Sequence, residues 1–204
     1  MPYVLTISVL LLLGGGVAWV FWTNRRAADL FRRLAEKHGL DLSLRQIGLY
    51  QHPVAEGALN GRPVHIVSDL TSEREARPIL FVEIERDDVS SFSFSVRRNK
   101  FTIRHRDDIY TELGDPTFDQ EFAVLTNDPQ LVAWVFTEDM KAMFMELASM
   151  GWGPGEIAGD RDTVRFEEDG RLRTLHQYKR LSYATQILDA LANGMDGVAN
   201  GLSR

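Results

Sequence analysis

Residues 55–68, AEGALNGRPVHIVS, place two strand-forming runs, Ala55–Leu59 and Val64–Ser68, on either side of Asn60-Gly61. Asn-Gly tolerates positive φ at both central positions of a tight hairpin turn, so this stretch predicts a two-stranded antiparallel ribbon. Further along, residues 79–85 read ILFVEIE and alternate with period two. Leu80, Val82 and Ile84 are therefore expected to face the core, and Ile79, Phe81, Glu83 and Glu85 the opposite side. Phe92, Phe94 and Val96 repeat the alternation, with a turn at Arg98-Asn99 and a strand over Phe101–His105 after them. These runs predict an antiparallel meander.

The pattern changes to helical spacing toward both ends. Before the hairpin, Ala27, Leu30, Phe31 and Leu34 fall at i, i+3, i+4 and i+7, with Gly39 as a stop. After the strands, Asp128 precedes Pro129, and Thr137 precedes Glu138 and Asp139, two good helix starts. The second helix, Glu138 to Met150, puts Met140, Met143, Phe144 and Leu147 on one face and ends at Gly151. Strands near Glu156–Ala158 and Thr163–Glu167 follow, then a turn at Asp169-Gly170. A last helix is expected over Leu172–Ala192, with Leu181, Ala184, Leu188 and Leu191 inward, and Asn193–Arg204 reads as a flexible tail. Strands in the middle and helices outside define an α+β class: a mostly antiparallel sheet with helices packed on it.

The first 24 residues differ in kind. Val4 to Trp22 reads VLTISVLLLLGGGVAWVFW, with Thr6 and Ser8 its only polar members, and about 20 such residues cross a bilayer as a helix. Trp19, Phe21 and Trp22 suit the interface, and Arg25 and Arg26 follow as a stop signal. The segment lacks the basic start of a signal peptide and no convincing small-x-small cleavage site precedes Asn24, so a retained transmembrane anchor is expected over cleavage. Arg25, Arg26, Arg32 and Arg33 follow the span and no Lys or Arg precedes it, which places the domain in the cytoplasm and the N-terminus outside. The organisation expected is an anchor over 1–24, one α+β domain over 25–192 and a tail over 193–204. Gly14 and Ala18 give a small-xxx-small spacing that would let two such anchors approach, although glycine simply tolerated in a membrane helix is the favoured reading.

The 204-residue chain carries 29 acidic and 23 basic side chains, for a net charge of −6. An acidic domain repels phosphate backbones, which argues against general nucleic-acid binding. With no cysteine, disulfides, thiolate nucleophiles and cysteine metal sites are excluded. His38, His52, His65, His105 and His176 are scattered without HExxH spacing, no GxSxG elbow occurs, and Gly151-Trp152-Gly153-Pro154-Gly155 lacks the Lys-Ser/Thr of a P-loop. Neither catalytic, cofactor-binding nor metal-binding residues are assigned.

The most distinctive block is Gly114-Asp115-Pro116-Thr117-Phe118-Asp119-Gln120-Glu121-Phe122-Ala123-Val124, followed by Asn127-Asp128-Pro129. It resembles a block in uncharacterised bacterial proteins that join an N-terminal hydrophobic helix to a small α+β domain. That resemblance implies the architecture and assigns no activity. On physical grounds Asp115 caps a turn that Pro116 begins, Phe118 and Phe122 anchor it, and Asp119 binds free backbone amides; the competing reading makes Asp115 and Asp119 an acid–base or metal-binding pair. Arg97, Arg98, Lys100, Arg104 and Arg106 form a basic hairpin, balanced by Asp87, Asp88, Asp107 and Asp108 or docked on anionic lipid. The expected function is a membrane-tethered, non-catalytic binding or interaction domain. Its partners are the membrane through Val4 to Trp22, anionic lipid through Arg25, Arg26, Arg32 and Arg33, and another protein. The alternative is an enzyme whose carboxylates and arginines converge from distant positions.

Overall fold

The computed structural model describes residues 19, 22–47, 50–70, 78–86, 91–98 and 109–202. Helix α1 covers residues 22–38. Strands β1 (Asp41–Ile47), β2 (Tyr50–Leu59), β3 (Arg62–Leu70) and β4 (Pro78–Glu85) follow, then β5 (Phe94–Arg97) and β6 (Ile109–Thr111). Helix α2 (Pro116–Glu121), β7 (Ala123–Thr126), α3 (Pro129–Val135), α4 (Glu138–Ser149), β8 (Gly155–Gly159), β9 (Thr163–Asp169) and α5 (Leu175–Leu202) complete the order.

The hairpin forms as the sequence predicts. Asn60 and Gly61 both take positive φ, 53° and 85°, joining β2 to β3 in the register Leu59↔Arg62. Leu80, Val82 and Ile84 are buried on β4, and Phe92, Phe94 and Val96 are buried around β5. The described strands form one sheet in the order β1-β2-β3-β4-β9-β8-β5-β7-β6, every pairing antiparallel. This corrects the simple meander: it holds from β1 to β4, after which β9 lies beside β4 and β5 is inserted between β8 and β7. The reason is complementary faces, since Val82 pairs with Phe166 and Ile84 with Val164, and a one-residue slip would turn each of those side chains out of the core. The predicted turn at Arg98-Asn99 is described only at Arg98, and the strand Phe101–His105 lies outside the described residues.

Helices cover the sheet face that carries Leu80, Val82, Ile84, Val164 and Phe166, with α5 against β4 and β9. Between them lies an aromatic cluster: Phe118 and Phe122 stand edge-on to Phe144 at 6.0 and 5.8 Å, and Trp152 is 5.9 Å from Phe122. The caps act as read. Asp115 accepts from Thr117 N and Phe118 N, Asp128 from Gln130 N and Leu131 N, and Thr137 from Met140 N.

Helix α5 differs from its prediction at both ends. It starts at Leu175 because Thr174 and Gln177 form a reciprocal cap: Gln177 N donates to Thr174 Oγ1 (3.1 Å) and Thr174 N to Gln177 Oε1 (3.1 Å). Nor does it stop at Ala192; Asn193–Leu202 is helical, not a loose tail. Met195 is buried and Asp196 binds Arg62 and Arg86, so core contacts override the local break suggested by Asn193-Gly194.

Candidate functional site

Helix α1 buries Ala28, Leu30, Phe31, Leu34 and Ala35. Its apolar face packs on the domain, and Arg25, Arg26, Arg32 and Arg33 are all exposed. The helix ends in a left-handed glycine cap, with Gly39 at φ 67° and Leu40 N donating to Ala35 O at 2.8 Å. At its start Trp19 and Trp22 are 63% and 53% exposed, and the Arg26 guanidinium lies 5.4 Å from the Trp22 ring centroid. Apart from Trp19 and Trp22, the predicted span Val4–Trp22 lies outside the described residues; among those described, no helix is long and apolar enough to cross a membrane.

Beside the first turns of α1, where β2 begins and β3 and β9 finish, lies a narrow polar cleft lined by Thr23, Asn24, Ala27, His52, Pro53, Ser68, Arg171 and Arg173. Thr23 and Asn24 come from α1, His52 and Pro53 from β2, Ser68 from β3, and the arginines from the β9–α5 connection. His52 is buried with Nδ1 3.2 Å from Ser68 O, and since a carbonyl only accepts, Nδ1 carries the proton. Among the described residues, no carboxylate lines it. The nearby Asp29 is engaged by Arg32 at 3.0 Å. The predicted basic set after the span is thus joined by Arg171 and Arg173, which sequence proximity to the span had no means of revealing.

Other charged groups are brought together for structural ends. Glu168 on β9 and Arg180 on α5 are both buried, with Nε to Oε2 at 2.9 Å and Nη2 to Oε1 at 2.7 Å. Arg180 Nη1 also donates to the carbonyls of Met150 and Gly151 at 3.1 and 3.0 Å, holding the α4–β8 connection against α5. This is the kind of distant carboxylate–arginine convergence that an enzyme reading requires, yet every one of these contacts is internal. Of the basic hairpin, Arg97 pairs with Glu156 at 3.1 Å, and Arg98 binds Glu121 and the carbonyls of Ala148 and Trp152; Lys100, Arg104, Arg106 and the four expected aspartates lie outside the described residues.

Asp115 and Asp119 are each engaged by backbone: Asp119 Oδ1 accepts from Leu113 N at 2.8 Å, and Asp115 caps α2. A shallow, open depression lies beside Glu112, Gly114, Pro116, Asp119 and Gln120. Among the described residues, no three His, Cys, Asp or Glu side chains are grouped to hold a metal ion. Of the histidines, His65 meets Glu56 at 2.8 Å. His38 Nε2 lies 3.1 Å from Ser182 Oγ, and its pKa is lowered by burial and then by Lys37. His105 lies outside the described residues.

The fold defined here, an antiparallel sheet with helices packed on one face, occurs in a solved protein. The crystal structure of the mycobacterial trehalose monomycolate transport factor A, TtfA, superposes with a TM-score of 0.56 at 10% identity, covering 84% of this chain and 95% of that one. At this identity the likeness shows the fold alone. No family model matches the chain, and no curated protein matches it.

Proposed function

We propose that this chain is a single-pass, membrane-tethered, non-catalytic binding domain on the cytoplasmic face. The observation that carries the reading is the geometry of α1. Its apolar face is used in the core, so the exposed side chains at the end of the hydrophobic segment and just beyond it are tryptophans and then arginines, the order in which a chain leaves a bilayer on its cytoplasmic side. The non-catalytic part is supported by the internal use of the convergent charges, Glu168 with Arg180 and Arg86 with Asp196.

The absence of cysteine allows a clean test. Ala142→Cys places one thiol on the exposed side of α4. In intact cells a membrane-impermeant maleimide should leave it unlabelled and should label it after permeabilisation, while the protein resists alkaline extraction. Labelling of intact cells would overturn the orientation, and alkaline release would overturn the tether. Crosslinked capture of the full-length protein, compared with residues 25–204, should recover a specific partner that depends on the anchor.

A further inference from the structure

We propose that β1 is a self-pairing edge: two copies of this chain join their β1 strands antiparallel and continue one sheet across a two-fold axis. Among the described residues β1 ends the sheet, and Asp41, Ser43, Leu44 and Arg45 are all exposed. On the inner strands β4 and β9, by contrast, the residues facing away from the helices, such as Phe81, Glu83 and Arg165, are partly covered. The pairing of β1 to β2 runs without a bulge from Asp41↔Glu56 to Ile47↔Tyr50, and the strand holds neither Pro nor Lys. Edges that stay unpaired are usually shortened, bulged or guarded by those residues. At the other end of the sheet β6, three residues long, is such a shortened edge.

The second copy as occupant follows from the pattern of the strand itself. An antiparallel strand that meets its own copy can pair only residues of like parity, because the backbone groups of alternate residues point to opposite edges. Side chains alternate as well. Asp41, Ser43 and Arg45 share one face, and Leu42 and Leu44 the face of the helices, where Leu42 already packs against the core. Centring the two-fold on Ser43 sets Asp41 against Arg45 of the second copy, and Leu42 against its Leu44, each pair occurring twice. The neighbouring permitted registers lose this match: centring on Leu42 puts Asp41 opposite Ser43, and centring on Leu44 puts Asp41 opposite Ile47 and Arg45 opposite Ser43. One register therefore joins opposite charges and apolar neighbours at once, both of them cross-strand pairs that favour association. It also gives Leu44, 45% exposed in the single chain, an apolar neighbour. The contact is short, so the dimer is a reversible one.

This inference does not rest on the tether. Its test uses the full-length protein, which has no cysteine, in a neutral detergent, with mass read by sedimentation. Ser43→Cys places a thiol on the two-fold axis and should give a disulfide-linked dimer on mild oxidation. Asp41→Cys and Arg45→Cys should each stay unlinked alone and crosslink when the two variants are mixed. Arg45→Asp sets like charges opposite each other at both symmetric positions and should raise the dimer Kd about tenfold; adding Asp41→Arg to the same chain should restore it. Leu44→Lys, at an exposed position, should give a monomer with unchanged Tm. A wild type that stays monomeric up to about 100 μM would overturn the proposal. So would a dimer that forms no Ser43 crosslink and survives Leu44→Lys, which would assign association to the hydrophobic segment or another face. Equal Kd for Arg45→Asp and for the charge-swapped chain would defeat the register. A Ser43 thiol that crosslinks in cells only to a different protein would reassign the edge and overturn the second copy as its occupant.

Discussion

Arginines occur at both ends of the β3–β4–β9 strand set, and they serve different purposes there. Where β3 and β9 begin, Arg86 has no exposed side-chain surface and donates to Asp196 at 2.9 Å and to Asp160 O at 2.8 Å. Arg62 reaches the same carboxylate at 2.6 Å and Asn193 at 2.9 Å. Where those strands finish, Arg171 and Arg173 border a cleft with Thr23 and Asn24 of α1 and with His52 and Ser68 of the β2–β3 ribbon. Arg86 is wholly covered and fastens the first end, whereas Arg173 is exposed at the other. The difference lies in which element the fold brings over each end. At the first end α5 delivers Asp196; at the second, α1 delivers Thr23 and Asn24.

The sharpest way to break this comparison is to remove the shared acid. Asp196→Ala leaves a buried guanidinium without its carboxylate and should cost about 3 kcal/mol, seen as a fall in the denaturant midpoint at unchanged slope. A loss under about 1 kcal/mol would mean that the first end is no more fastened than an ordinary surface pair. Asp115→Ala, away from both ends, removes one helix cap and should cost about 1 kcal/mol, a reference against which the ionic effect is judged. Arg173→Gln, at an exposed position, should move stability by no more than about 0.5 kcal/mol, as expected where a side chain serves a surface rather than the core; a drop comparable to that of Asp196→Ala would erase the contrast.

Titration adds a smaller effect at sites belonging to neither end. The pKa of His38 is lowered by burial and then by Lys37, so the unfolded chain binds a proton more readily than the folded one. Stability should be full above the ordinary histidine value of about 6.5 and decline as pH falls through and below it, and His38→Gln should flatten that slope. Tyr183 is pushed up to about 12 by burial and then by its hydrogen bond to Glu146. Its contribution is therefore complete below about 10 and lost as pH rises toward about 12. Thermal melting across both windows, with Tyr183→Phe as the alkaline control, reads the two effects.

Local chemistry was legible in the sequence wherever one or two residues decide the outcome. Asn60-Gly61 announces a hairpin, Asp128-Pro129 a helix start, and Leu80, Val82 and Ile84 a buried strand face, and each is realised. The order of strands was not legible, because β4 beside β9 depends on matching two faces some eighty residues apart, and several shuffles satisfy the same alternation. The end of α5 was misread for a related reason: Asn193-Gly194 is a weak helix breaker locally, and the partners of Met195 and Asp196 lie on other elements. The cleft shows the same limit. Arg25 and Arg26 are conspicuous after a hydrophobic stretch, but nothing near Arg171 and Arg173 signals that β9 carries them to the same place. The span itself, and with it the cytoplasmic placement, remains a reading of residues 4–22 that the labelling test decides.

Because α1 is part of the core, it is a handle and not a leash. A flexible connection would let the domain wander tens of ångströms from its point of attachment. Residues 22–38 are instead a rigid rod of roughly 25 Å whose inner side is fixed to the sheet by Phe31 and Leu34. A tilt or rotation of that rod must then turn the whole sheet with it, so whatever holds its N-terminal end sets the posture of the domain as well as its position.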